Sequence, residues 1–353
     1  MKTVTVHASS SYQILIGKGL LSETGSRFRS LLPSARAAVI TDSNVAPLYL
    51  AQIQNSLEAA GIRQIPPFIF SAGEQQKNAS TYLGILGHLA RHHMTRSDAV
   101  IALGGGVTGD LAGFAAATYL RGIPYIQIPT TLLAAVDSSV GGKTAIDLPE
   151  GKNLAGAFYQ PRLVLCDPDT LFTLPEHFFR DGCAEVIKYA VLYDPELFAL
   201  LEKDGLSFDR ETVIQKCVEW KALAVRKDEF DRGEREKLNL GHTIGHAAEK
   251  VSGFTLSHGY AVAAGLAAMV RTAARYGYCS QGSARRILGL LESFGFPTVL
   301  PYDADTLYQA ALSDKKLRGS RIDLIVPKKI GDCAVLPIPA EQLLSVIQTG
   351  LIP

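Results

Sequence analysis

The run Asn239-Leu240-Gly241-His242-Thr243-Ile244-Gly245-His246, followed by His258-Gly259, places three imidazoles at spacings that metal sites use. Two histidines four residues apart share one face of an α-helix, and a third returns after a Gly-containing turn. Such pairs also occur on solvated helices, so local spacing leaves open both the metal and the choice of a third ligand. Far upstream, Gly182-Cys183-Ala184-Glu185-Val186-Ile187-Lys188-Tyr189 sets a carboxylate and an ammonium at i,i+3 on an otherwise apolar helix. Alone, that is an ordinary solvated ion pair worth little. Joined to His242 and His258, however, a glutamate completes an N, N, O set with positions left open for substrate, as catalytic zinc requires.

A second chemistry lies in Gly104-Gly105-Gly106-Val107-Thr108-Gly109-Asp110, a G-x-G-x-x-G run directly after the apolar run Ala99–Leu103. Glycines let backbone approach a pyrophosphate, and a helix N-terminus offers it free N–H groups; tight packing is the competing reading. The acidic residue usual about 20 positions downstream in a Rossmann unit is missing. Upstream, Thr41-Asp42-Ser43-Asn44 ends a strand and could set Asp42 against a ribose. The expectation is a nucleotide site outside the standard Rossmann arrangement. Asp137-Ser138-Ser139-Val140-Gly141-Gly142-Lys143 and Pro149-Glu150-Gly151-Lys152-Asn153 read as two loops in which glycine amides and a lysine can converge on phosphate oxygens.

The elements that must position these groups change character along the chain. Lys2–His7 and Tyr12–Ile16 read as a hairpin; strands over 35–41, 65–70, 99–103 and 125–131 alternate with helices over 45–60, 79–93 and 111–120. That alternation predicts an α/β N-terminal domain with a mostly parallel, Rossmann-like sheet, whose ligands collect at the carboxyl ends of the strands. Past Asp167 the pattern is mostly α-helical, with helices over 175–193, 211–225, 234–251, 261–276 and 283–294 and a late strand or hairpin near Ile322–Pro327. The expected domains are 1–167 and 168–353, with the active site in the cleft between them.

Composition narrows the function class. The 353 residues include 35 basic and 34 acidic side chains, so no global field favours nucleic acid or an anionic membrane, and anion recognition must be local. No apolar run approaches the ~20 residues that span a bilayer, and the N-terminus alternates like a strand without a signal core. The expected location is the cytoplasm. Five cysteines, none in a Cys-x-x-Cys pair, argue against a disulfide framework and a thiolate cage.

Taken in order and spacing, Gly104–Asp110, Pro129-Thr130-Thr131, Asp137–Lys143, Gly151-Lys152-Asn153, Ala184–Tyr189, Leu238–Thr243 and His258-Gly259 resemble the signature blocks of the 3-dehydroquinate synthase family, within the sugar-phosphate cyclase superfamily. The resemblance runs from about Asp42 to Gly331. It implies a dehydroquinate synthase-like fold and a shikimate-pathway lyase that converts 3-deoxy-D-arabino-heptulosonate 7-phosphate into 3-dehydroquinate and phosphate. NAD would oxidise the C5 hydroxyl and later reduce the ketone, with phosphate elimination between, before ring opening and aldol closure. The departing phosphate could itself serve as the base for its elimination.

Residue by residue, the resemblance assigns a divalent metal (zinc or cobalt) to Glu185, His242 and His258, and proton handling to His246. NAD falls to Asp42, Asn44, Glu74, Lys77, Gly105, Gly106, Asp110, Thr130, Thr131, Asp137 and Thr173, with Lys143 and Lys152 shared between cofactor and substrate. Lys143, Lys152, Asn153, Lys188, Lys221, Arg235, Asn239 and one of Lys315 and Lys316 would grip the substrate's phosphate and carboxylate. Arg121 resembles an arginine that the family sends across a homodimer interface. The chain departs from the family pattern at three places. Tyr260 stands where a glutamate usually follows the His-Gly of the third ligand, Asp147-Leu148-Pro149 replaces a common Asn-His-Pro, and Gln76 replaces a frequent aromatic. The competing readings are another sugar-phosphate cyclase, a metal-dependent polyol dehydrogenase such as a glycerol dehydrogenase, and a non-catalytic regulator. Retention of Arg235, Asn239 and Asp314-Lys315-Lys316 favours a carboxylate-bearing substrate.

Overall fold

The computed structural model describes residues 1–312 and 321–352. Asp314, Lys315 and Lys316 therefore lie outside the described residues. The chain forms two compact units, Met1–Pro175 with Arg210–Phe230, and Glu176–Asp209 with Asp231–Pro353. Compared with the expected division at 167/168, the first unit runs on to Pro175 and takes in a later segment. The reason is packing: the helix Arg210–Lys227 lies against the N-terminal hairpin and the turn Ala134–Ser138.

The first unit holds strands β1 (Lys2–Val6), β2 (Tyr12–Ile16), β3 (Ala37–Asp42), β4 (Phe68–Phe70), β5 (Ala99–Gly104), β6 (Tyr125–Pro129), β7 (Lys143–Leu148), β8 (Gly151–Phe158) and β9 (Leu163–Cys166). Seven make one sheet, in the order β1-β2-β9-β6-β5-β3-β4. Only β1 and β2 pair antiparallel within it; every other neighbouring pair is parallel. Every residue of β3, β5 and β6 is buried, as near-continuous apolar strands with helices on both faces must be. Alternation then sorts the side chains. Val39 and Ile101 pack with Phe28, Ile53 and Leu57 on one face, while Ile40, Val100 and Ala102 pack with Ile85, Leu89 and Leu111 on the other.

Two sequence expectations change here. The helix after β5 starts at Gly106 rather than Leu111, so the glycine run forms its first turn. Gly151-Lys152-Asn153 opens strand β8, paired antiparallel with β7, instead of lying in a loop. Strand β9 was not foreseen.

In the second unit the helix His258–Arg275 is the hub: fourteen of its residues are buried. It packs against the helices Glu176–Tyr193, His242–Val251, Gln281–Ser293 and Leu343–Leu351 and against strand β10 (Arg321–Lys329), which forms a hairpin with β11 (Asp332–Pro339). The helix expected over 234–251 is broken. A 3-10 turn, Glu234–Asn239, precedes Gly241 at φ +79°, and the α-helix begins at His242. Close approach explains the glycines: a Cβ on Gly241 would sit 2.7 Å from the Val262 carbonyl oxygen, and one on Gly265 2.1 Å from that of Gly241. The helices Pro195–Asp204, Ala304–Leu312 and Leu343–Leu351 escaped the sequence reading. Among the described residues no helix is long and apolar enough to cross a membrane.

Candidate functional site

In the first unit, Asp42, Gly105, Gly106, Thr130 and Thr131, all expected at the nucleotide, stand where β3, β5 and β6 end. Gly105 is the N-cap of the helix Gly106–Thr118, whose first amides have no intrahelical acceptor. The cradle has room for backbone only. A Cβ on Gly105 would lie 3.0 Å from the Thr131 methyl, and one on Gly106 3.2 Å from the Ser138 hydroxyl. Both observations fit a dinucleotide's pyrophosphate. Asp42 at the end of β3 accepts from the amides of Asn44 (2.9 Å) and Val45 (3.1 Å) and from the Thr108 hydroxyl (3.1 Å). Its carboxylate thus shapes the turn, with lone pairs remaining for a ribose. Thr130 is buried and Thr131 Oγ1 accepts from the Ala134 amide. Thr173 is exposed and hydrogen-bonds the Tyr49 hydroxyl.

Beside them, buried Lys77 joins two expected groups: its Nζ lies 2.5 Å from Asp110 Oδ2 and 2.5 Å from Asn153 Oδ1. Burial alone would lower the Lys77 pKa, but the carboxylates of Asp110, Glu74 and Asp147 outweigh it and hold the ammonium above its ordinary value. Lys152 pairs with Glu74 at 3.7 Å. Asn153 sits at φ +56°, with its amide donating to Asp147 Oδ1 at 2.8 Å. Asp147, one of the departures from the family pattern, therefore anchors an expected substrate residue. Buried Lys221 reaches Asp137 twice, at the carbonyl (2.6 Å) and the carboxylate (2.8 Å). Lys143 is exposed at the start of β7, after a Gly141-Gly142 turn whose Gly141 amide donates to the Tyr12 hydroxyl at 2.9 Å. Exposed Arg121 follows Leu120 and precedes Gly122, all three at positive φ (67°, 49° and 121°). For the two non-glycines that backbone costs about 1–2 kcal/mol each.

The second unit brings the expected metal ligands together. Glu185, His242 and His258 each offer one ligand atom, all within 4.8 Å of one another. Glu185 is fully buried; its Oε1 lies 3.5 Å from His242 Nε2 and 3.4 Å from His258 Nε2, and its Oε2 contacts Lys188 Nζ. Lys188 is 2 % exposed, so this i,i+3 pair is not the solvated one that spacing alone suggests. The far nitrogens are also engaged. His242 Nδ1 faces the Leu240 carbonyl at 3.1 Å and His258 Nδ1 the Glu249 carboxylate at 3.3 Å, which turns both Nε2 atoms toward Glu185. This donor set, one carboxylate and two Nε2 lone pairs, fits a divalent cation. Burial opposes charge on His258, yet Glu185 and Glu249 outweigh it and raise its pKa to about 10. Two carboxylates around one imidazole thus ask for positive charge there.

His246 lies close by, its ring centroid 5.2 Å from that of His242 and 5.9 Å from that of His258, but it is not in the trio with Glu185. Arg235 is buried and Asn239 half-buried, both in the 3-10 turn leading to His242. Two groups escaped the sequence reading. Glu249 follows His242 by seven residues and His246 by three, a helical spacing that could have flagged it. Asp181, one turn before Glu185, accepts from the Ser257 hydroxyl (2.5 Å) and the amides of Gly259 (2.8 Å) and Tyr260 (3.3 Å), fixing the start of the His258 helix.

Comparison with known proteins agrees with this architecture. Residues 67–181 match the 3-dehydroquinate synthase N-terminal family model and residues 182–317 the C-terminal one. A 3-dehydroquinate synthase from Pelobacter propionicus is 49% identical over 354 residues, covering 98% of both chains. Among solved structures, a 2-deoxy-scyllo-inosose synthase complexed with carbaglucose-6-phosphate, NAD+ and Co2+ superposes with a TM-score of 0.89 at 26% identity, covering 99% of this chain and 100% of the other. A 2-epi-5-epi-valiolone synthase from Streptomyces hygroscopicus with NAD+ and Zn2+ bound gives 0.87 at 26% identity, covering 98% of each. Matched by both halves of the family model and by a relative of nearly half its sequence over nearly its whole length, the chain belongs to the 3-dehydroquinate synthase family.

Proposed function

We propose that the protein is a 3-dehydroquinate synthase, releasing phosphate from 3-deoxy-D-arabino-heptulosonate 7-phosphate and closing the product ring. The observation that carries this reading is the trio Glu185, His242 and His258 with Lys188 against it, in a chain of this family. Bound NAD would take a hydride from the substrate and return it, while a divalent ion held by the trio would polarise the substrate's hydroxyls as a Lewis acid. The chain's own residues do the rest. Gly105, Gly106 and the helix N-terminus behind them take a pyrophosphate, with Asp42, Asn44, Thr130, Thr131, Asp137 and Thr173 around the nucleotide. Glu74, Lys77 and Asp110 complete the nucleotide's surroundings, and beside them Asn153 and Lys152 reach the substrate.

Lys143, Lys152, Lys188, Lys221 and Arg235 supply the cationic charge that a phosphate and a carboxylate demand, and Asn239 adds an amide. Lys221 can exchange its Asp137 contact for a substrate oxygen. His246 holds or moves a proton at an imidazole nitrogen beside the ligands. The protein acts in the cytoplasm as a homodimer, and the strained Arg121 segment presents its guanidinium to the second copy.

Incubation with the heptulosonate phosphate, NAD and zinc tests the activity, with phosphate, product and NADH followed together. Equimolar phosphate and dehydroquinate without accumulating NADH are expected, and EDTA should stop both. Steady NADH production would instead identify a polyol dehydrogenase.

A further inference from the structure

We propose that Glu249 is the positioning residue of the metal centre, fixing the ring orientation and tautomer of His258. The inference rests on reading Glu185, His242 and His258 as metal ligands. Glu249 is 4 % exposed and lies on the same helix as His242, at a spacing of seven that returns it to the same face. Its Oε2 stands 3.3 Å from His258 Nδ1. A carboxylate on the far nitrogen of a ligating imidazole selects the Nδ1–H tautomer, holds the ring plane and makes Nε2 a better donor. His242 receives a neutral version of the same service from the Leu240 carbonyl. The two imidazoles are therefore unequal: one is oriented by a dipole, the other by a full charge.

The departure at position 260 points the same way. Tyr260 brings no carboxylate, and its ring packs against Phe296 with centroids 5.2 Å apart. A negative group for His258 comes from the neighbouring helix, whose backbone approach at Gly245 is close enough that a Cβ there would lie 2.9 Å from the Ala261 carbonyl oxygen. Burying a carboxylate is costly unless it is hydrogen-bonded, and the Nδ1–H of His258 gives it a donor.

Apoprotein of the wild type, Glu249→Gln and Glu249→Ala would be titrated with Zn2+ against a competing chelator and with Co2+ by visible absorption. One ion per chain is expected for the wild type. Glu249→Gln keeps an acceptor but no charge and should bind about tenfold more weakly; Glu249→Ala should lose up to about a hundredfold. Both should shift the Co2+ d–d bands, while the apoprotein melting temperature of Glu249→Gln stays at the wild-type value. If Glu249→Ala does not fold, Glu249→Gln decides alone. Unchanged affinity and spectrum would overturn the proposal. So would a wild type holding two ions and an alanine variant holding one, because Glu249 would then be a ligand in the set His246, Glu249 and His258. A wild type that binds no ion would overturn the metal reading as well.

Discussion

At the strand ends of the first unit, Gly105 and Gly106 offer amides and bare backbone, and their neighbours Gly104 and Thr108 lie within a few residues. In the second unit, Glu185, His242 and His258 offer side chains carried on three helices, the first and last 73 positions apart. A backbone site is written locally and is damaged by any atom that fills it. A side-chain site depends on packing between distant elements, and it is damaged by the loss of a ligand, or of whatever holds that ligand in place. Glycine serves both, but differently: Gly105 and Gly106 make way for the Thr131 and Ser138 side chains at a helix start, whereas Gly241 and Gly265 make way for another helix.

The largest effect should come from removing a ligand. Glu185→Ala is expected to weaken metal binding by a hundredfold or more, since a zinc site's binding energy of about 10–16 kcal/mol is shared among a few ligands, and to abolish turnover. Calorimetric titration of metal and nucleotide would check it; NAD affinity unchanged at the same time keeps the two sites distinct. His246→Ala sharpens the division inside the second unit. Turnover should fall about a hundredfold, as for a lost acid or base, with metal affinity nearly unchanged. Loss of the metal itself would make His246 a ligand.

Gly106→Val probes the other kind of site. It should weaken NAD binding about tenfold or more, read by fluorescence titration, and leave bound metal alone. Least felt at either site, where no change in NAD or metal affinity is expected, is Asp98→Ala. Burial raises this carboxyl's pKa, but hydrogen bonds from Arg36 and Thr95 outweigh it and leave it below its ordinary 3.8. The stabilisation is therefore present above that ordinary value and lost as pH falls through the lower folded one. Asp98→Ala should cost roughly 2–3 kcal/mol near neutral pH, and the gap from wild type should close in acid, as denaturant melts would show.

What the sequence disclosed follows the same division. The glycine run and the buried strands β3, β5 and β6 were legible because their information is contiguous and periodic, whereas β9 and the start of β8 at Gly151 were not. The candidate metal trio was less legible: spacing pointed first to His242 and His246, nothing local joins Glu185 to them, and the resemblance made the choice among the histidines. Asp181 and Glu249 went unread because they act through contacts made only after the helices pack. Gly241 hid the break before His242 for a related reason, since its left-handed φ answers to a helix some twenty residues away.

The return of Arg210–Phe230 to the first unit sets an order of events during synthesis. A ribosome that has finished β9 has made all seven strands of the main sheet, yet the helix covering the N-terminal hairpin is still some forty residues from emerging. The helix carrying Glu185 is translated in that interval. The first unit therefore completes only after part of the second already exists, and cutting the gene near codon 168 or 175 would release an N-terminal fragment with an uncovered hairpin and no Lys221.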